Sequence, residues 1–154
     1  MQDTLNISGL VYLQRFRFGE DTPFSTIKHK NMIVNGGLIF FAEKILGISS
    51  REIETIRVGA DSAPTTIEHD SMFSMEITSS PVRFLAASSE NPGEMFIEAV
   101  FGAGDAYTVD EIGLFADDDT MIARTVLGNT NAFTKEATEN ISVTWRIFLG
   151  KELT

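Results

Sequence analysis

The residues best suited to hold a metal or move a proton are two histidines, His29 and His69. Metal sites built on histidine use a second histidine two or four residues away. Neither residue has one, and both read as loop or surface positions. The chain has no cysteine, which excludes disulfides, thiolate nucleophiles and Cys-rich metal sites. Serine hydrolysis needs its nucleophile on a sharp turn, and no Gly-x-Ser-x-Gly supplies that elbow. Gly36-Gly37 could cradle a phosphate with backbone N–H groups at a helix start. The Lys-Ser/Thr of a P-loop does not follow it, so capping or close backbone packing explains the pair better. Gly102-Ala103-Gly104 reads as a turn. Asp117-Asp118-Asp119 lacks the alternating oxygen ligands and distal bidentate acid of a calcium loop. It reads as a hairpin turn, where Asp tolerates left-handed backbone. A hydrolytic pair of carboxylates need only meet in space, and no two acids are nominated by position. The expectation is a protein that is not an enzyme, with no catalytic residue, no metal and no cofactor.

The 154 residues fit one domain, and 43% of them are hydrophobic, enough to fill a core. Acidic residues outnumber basic ones 22 to 12, for a net charge of −10. Such a surface repels phosphates, so neither nucleic acid nor an anionic membrane is an expected partner. The longest apolar run, Gly36 to Ala42, is too short to cross a bilayer. The residues after Met1 lack the basic start and apolar run of a signal peptide. The protein is therefore expected not to be secreted.

Most of the chain reads as strands. Leu10, Tyr12, Gln14, Phe16 and Phe18 alternate with Val11, Leu13, Arg15 and Arg17, which predicts an N-terminal strand with both arginines on its wetter side. Residues 19–23 break it. The single predicted helix runs near 35–46, with Asn35 as N-cap and Gly47 as the left-handed residue that ends it. Leu38, Phe41, Ala42 and Ile45, joined by Ile39 and Leu46, form its apolar face. Further strands are predicted around Ile56–Val58 and over 82–87, 95–101, 109–115, 120–127 and 141–149, with a long loop over 60–75. Six or seven short strands and one helix predict a mainly β fold: an antiparallel, jelly-roll-like β-sandwich with one flanking helix. The expected organisation is an N-terminal strand or arm over 1–30, a body over 31–150 and a short tail over 151–154.

Two apolar residues break the pattern. Phe40 projects between Glu43 and Lys44, off the helix's apolar face, and Phe148 lies on the polar side of the last strand beside Arg146. Exposed aromatics serve as interface anchors. Phe40 and Phe148, with Arg15, Arg17, Phe16 and Phe18 of the first strand, are the candidate partner interface.

Several strings, read in order, carry a resemblance. They are Asn31-Met32-Ile33-Val34-Asn35-Gly36-Gly37, Ile56-Arg57-Val58-Gly59, Ala63-Pro64-Thr65-Thr66, Glu111-Ile112-Gly113-Leu114-Phe115-Ala116, Ile122-Ala123-Arg124-Thr125-Val126-Leu127 and Ile141-Ser142-Val143-Thr144-Trp145. Together they resemble small virion proteins of tailed bacteriophages, placed in tail fibres, collars, baseplates or on the capsid surface. The resemblance spans roughly Asn31 to Gly150. It implies a non-enzymatic β-sandwich assembled as a symmetric homo-oligomer such as a trimer, bound to other virion proteins, made in the host cytoplasm and carried in the virion.

A receptor-binding fibre usually adds a tip or a repeated shaft, and neither is present in this sequence. That departure favours an adaptor, collar or baseplate component at the tail or fibre attachment. The closest rival is a capsid decoration or cement protein. A carbohydrate-binding sandwich would want exposed Trp and Tyr for stacking, yet the chain has one Trp and two Tyr. A small hydrolase would need a cleft of converging acids.

Overall fold

A computed structural model describes residues 6–79, 81–85 and 93–150. The expected tail at 151–154 and the end of the strand expected over 82–87 lie outside the described residues. Period-two alternation sets the architecture. In β11 (Glu139–Leu149), Ile141, Val143, Trp145 and Ile147 are all fully buried, while Ser142, Thr144 and Arg146 point the other way. β1 (Ile7–Arg17) pairs with it in full antiparallel register and buries Val11 and Leu13 on the same inner face. β2 (Ser25–Ile33), β3 (Ile53–Gly59), β4 (Met75–Thr78), β5 (Arg83–Leu85) and β6 (Glu94–Phe101) add to the same sheet. So do β8 (Glu111–Ala116) and β9 (Met121–Val126). β7 (Tyr107–Val109) and β10 (Phe133–Lys135) form a separate two-stranded sheet.

Among the described residues, the main sheet has nine antiparallel strands in the order β4-β3-β8-β9-β2-β1-β11-β6-β5 and curls strongly into a half-barrel. The expected two-sheet sandwich is thus one continuous sheet. The reason is β2, which pairs along β1 from Ser25 to Asn31 and then joins β9 through Met32 and Ile33. The two halves it connects face one core. Leu13, Ile97, Val143 and Trp145 come from one side, and Ile56, Ile112, Leu114 and Ile122 from the other.

Residues 7–17 are therefore not a separable arm. β1 is an interior strand with neighbours on both edges, and fully burying Leu13 alone is worth roughly 1.5–3 kcal/mol.

The helix α1 (Asn35–Ile45) ends as expected, with Gly47 at φ +70°. Its start differs. Val34, in extended conformation, occupies the N-cap position without a side-chain cap, and the Asn35 N–H donates to the Ile67 carbonyl at 2.8 Å. Its orientation also differs from the expected one. Gly37, Phe40 and Phe41 are the buried positions, whereas Leu38, Ile39, Ala42, Ile45 and Leu46 are exposed. Gly37 explains this: a Cβ there would overlap the Ile122 carbonyl oxygen of β9. Only glycine lets the helix backbone come so close, and that contact turns the i, i+3, i+4 face of Gly37, Phe40 and Phe41 inward.

Candidate functional site

The residues with chemical potential are held in structural contacts. His29 Nδ1 lies 2.8 Å from Thr125 Oγ1 across the β2–β9 seam. His69 Nδ1 accepts the Thr66 N–H at 3.2 Å, and its ring stands edge-on to Phe73. Asp117-Asp118-Asp119 turns the β8–β9 hairpin, with Asp119 at φ +66°. At that tip Arg57 binds Asp119, and Arg51 binds Asp118 at 3.2 Å. The Thr120 hydroxyl first, then its backbone N–H and Arg51, holds the Asp118 carboxyl below its ordinary range. Among the described residues, no three His, Cys, Asp or Glu side chains group to hold a metal ion.

Arg51 also explains Phe40. Its guanidinium binds Glu43 of α1, which raises the Arg51 pKa, and sits 5.5 Å from the Phe40 ring centre. Lys44 Nζ lies 5.9 Å from the same ring and pairs with Glu52 at 2.8 Å. Phe40 is 2% exposed, beneath these cations and edge-on to Phe41. The expectation that it anchors a partner is corrected: it is a core residue. Lys44, one helical turn on, and Arg51, beyond the helix, cover it rather than leaving it in water.

Phe148 is half-buried, with the Arg146 guanidinium 4.5 Å over its ring. Arg146 also stacks on Phe96, pairs with Glu94 and donates to Tyr12 Oη at 3.3 Å. The outer face of β11 thus builds a small aromatic–arginine layer within the chain, which accounts for an aromatic on that side.

The first-strand candidates meet at the end of the β1–β2 hairpin. Arg15 pairs with Glu139 at 3.0 Å and stacks between Phe133 and Phe24, at 4.0 and 4.9 Å. Arg17 stacks on Phe24 at 4.7 Å. Phe18, fixed by its N–H to the Thr138 carbonyl, leaves 72% of its surface exposed. A cleft of about 480 Å³ opens between Arg17, Phe18, Glu20, Phe24 and Thr138. Phe16, by strand alternation, faces away from the two arginines and is half-buried. Arg15, Arg17 and Phe18 are brought together; Phe16, Phe40 and Phe148 lie elsewhere.

A second cleft, about 280 Å³, lies between α1 and the sheet and is lined by Phe40, Phe41, Ile45, Phe84, Met95 and Leu149. Sequence reasoning missed it because it placed Ile45 in the core. A third, near 460 Å³, runs past His29, Asn31, Thr65 and Arg124. There Arg124 directs its donors to Glu111, Ala63 and Thr65.

Comparison of the chain with protein-family models, with curated proteins and with solved structures finds no match.

Proposed function

We propose that this protein is a structural component of a tailed-phage virion, an adaptor, collar or baseplate subunit near the tail or fibre attachment. It works through protein–protein contacts rather than by catalysis. The observation that carries this reading is where the side chains stand. The histidines, the turn aspartates and the buried Glu111–Arg124 pair all serve the fold. Large apolar and aromatic groups, by contrast, are exposed at the β1–β2 tip and along α1. Apolar surface of that extent marks an interaction site on a folded protein. Aromatic residues, Phe among them, and Arg are enriched in the cores of interfaces. The sequence resemblance points the same way, and the two facing halves of the curled sheet supply the sandwich-like body such a component would use. Its partners are copies of itself, in a symmetric assembly such as a trimer, and neighbouring virion proteins.

The test is to find the chain in purified phage particles by mass spectrometry and to place it in a density map. A tail or collar position is expected, and a position on the capsid shell would favour a decoration protein instead. Absence from the particle would overturn the virion reading. Phe18→Ala should lower incorporation while changing folding stability by less than about 0.5 kcal/mol, as exposed substitutions do.

A further inference from the structure

The outward face of α1 is the opposite of what a surface helix ordinarily presents. Leu38, Ile39, Ala42, Ile45 and Leu46 occupy it, and Ile48 continues it just past the helix end. Ile45, Leu46 and Ile48 are 62%, 71% and 71% exposed. Phe84, itself exposed, borders the same cleft as Ile45 and extends the apolar surface onto the sheet. We propose that this stripe is the surface on which a second copy of the chain docks, α1 against α1 about a symmetry axis. The inference deepens the self-assembly part of the reading above by naming the surface that would make it.

Three observations favour another copy over an unlike partner. The first is spacing. Leu38, Ala42 and Ile45 follow the four-then-three interval of a helix–helix seam, with Ile39 and Leu46 beside it. Ala42, the small residue in the middle, lets two backbones approach.

The second is charge. The chain carries a net −10, so two copies repel one another overall, and a surface without charge adds nothing to that repulsion. The stripe has no charged side chain, and its charged neighbours are already paired within the chain, Lys44 with Glu52 and Arg51 with Glu43. A partner recognised by its charge would find nothing on this face to bind.

The third is extent. Leu38, Ile39, Ile45, Leu46 and Ile48 are each between 38% and 71% exposed, a run of large aliphatic side chains that marks an interaction surface where single scattered apolars would not.

Because the chain lacks cysteine, Ala42→Cys gives a single-site crosslinking probe. In the full-length protein under mild oxidation, this variant should form disulfide-linked pairs. Thr26→Cys, on the exposed side of β2, should form many-fold fewer. In light scattering, the wild type should run at a multiple of the single-chain mass. The uncharged double variant Ile45→Asn/Leu46→Gln should run as a single chain with an unchanged circular-dichroism melting curve.

An intact oligomer in that variant, or a wild type that stays single at several hundred micromolar, overturns the inference. So does equal crosslinking at the two cysteine positions. A chain located in phage particles but failing these tests leaves the virion reading standing without the α1 contact. An α1-dependent oligomer absent from particles does the reverse.

Discussion

Glu111 Oε2 accepts two hydrogen bonds from Arg124, from Nε at 3.0 Å and from Nη2 at 2.8 Å, and neither side chain is exposed to solvent. The pair joins β8 to β9 and extends outward from both ends. Glu111 Oε1 accepts the Ser74 N–H at 2.6 Å, while Arg124 Nη1 donates to the Ala63 carbonyl and to Thr65 Oγ1. The segment from Ala63 to Ser74 is thereby tied to the sheet at both ends. Arg124→Met should therefore cost about 3–5 kcal/mol, because it leaves a buried carboxylate without its partner. The double variant Glu111→Leu/Arg124→Met should recover part of that loss. Urea unfolding measures both. Hydrogen exchange should show the Ser74 amide losing protection in the double variant, which removes its acceptor Glu111, and keeping more of it in Arg124→Met. An Arg124→Met variant within 1 kcal/mol of wild type would contradict the account.

Phe40→Ala should act on folding rather than on assembly. The ring is buried against Phe41 and capped by Arg51, so its removal leaves a cavity costing about 3–5 kcal/mol. Gly37→Ala should be damaging for a different reason, since its new methyl would displace the helix from the Ile122 carbonyl. Thermal melts of the two variants should both fall. A Phe40→Ala protein with an unchanged melting temperature and lost assembly would return Phe40 to the surface.

Deleting residues 1–17 should abolish folding. The deletion removes β1, to which both β2 and β11 are hydrogen-bonded, and takes Val11 and Leu13 out of the core. The sheet would be cut between β2 and β11. Far-ultraviolet circular dichroism and exchange protection would report an unfolded chain, and a cooperatively folded deletion product would show that β1 is dispensable.

The alternation in β11 was legible because each residue type matches its face: Ile141, Val143, Trp145 and Ile147 inward, Ser142, Thr144 and Arg146 outward. The segment that became β2 was not. Its inward positions include His29 and Asn31 beside Ile27 and Ile33, so the apolar signal of a strand is diluted. β7, β10 and β4 are three or four residues long, too short for periodicity to register. The helix was found but turned the wrong way, because apolar residues occupy both of its sides and the choice between them rests on Gly37 meeting β9.

Most of the strings singled out in the sequence lie on elements around one buried ion pair, with Ile141 to Trp145 apart from them on β11. Asn31 to Gly37 ends β2 and starts α1, Ile56 to Gly59 lies on β3, and Glu111 to Ala116 and Ile122 to Leu127 run along the β8–β9 hairpin. Ala63 and Thr65 complete the donor contacts of Arg124. What is recognisable in the sequence is largely scaffold around the Glu111–Arg124 pair. The exposed surfaces at Phe18 and α1 lie outside that hub, and their exposure depends on tertiary packing that local pattern does not encode.

Alkaline pH should separate two neighbours on the small sheet. Tyr107 pairs in register with Lys135, whose ammonium lies 5.3 Å from the tyrosine ring centre and donates to the Asp105 and Glu136 carbonyls. Burial, with a smaller contribution from Asp105, pushes the Tyr107 pKa from 10.0 up to about 12. Burial pushes that of Lys135 below its ordinary 10.5. The two act in opposite directions. Below pH 10 the tyrosine is protonated whether the chain is folded or not, and its contribution to stability is fully present. Between pH 10 and about 12 the unfolded chain releases that proton while the folded one keeps it, so stability falls as pH rises. For Lys135 the unfolded chain holds the extra proton between the lowered folded value and 10.5, so stability rises with pH over that window. Well above pH 10.5 the lysine has lost its proton in both states and the tyrosine slope stands alone. Urea unfolding at pH 9 and pH 11.5 should show wild type losing more stability between these points than Tyr107→Phe, which keeps the ring against Lys135 but has no proton to lose. The difference in tyrosinate absorbance between the two folded proteins reports Tyr107 by itself and should rise near pH 12; a midpoint near 10 would mean the phenol is open to water.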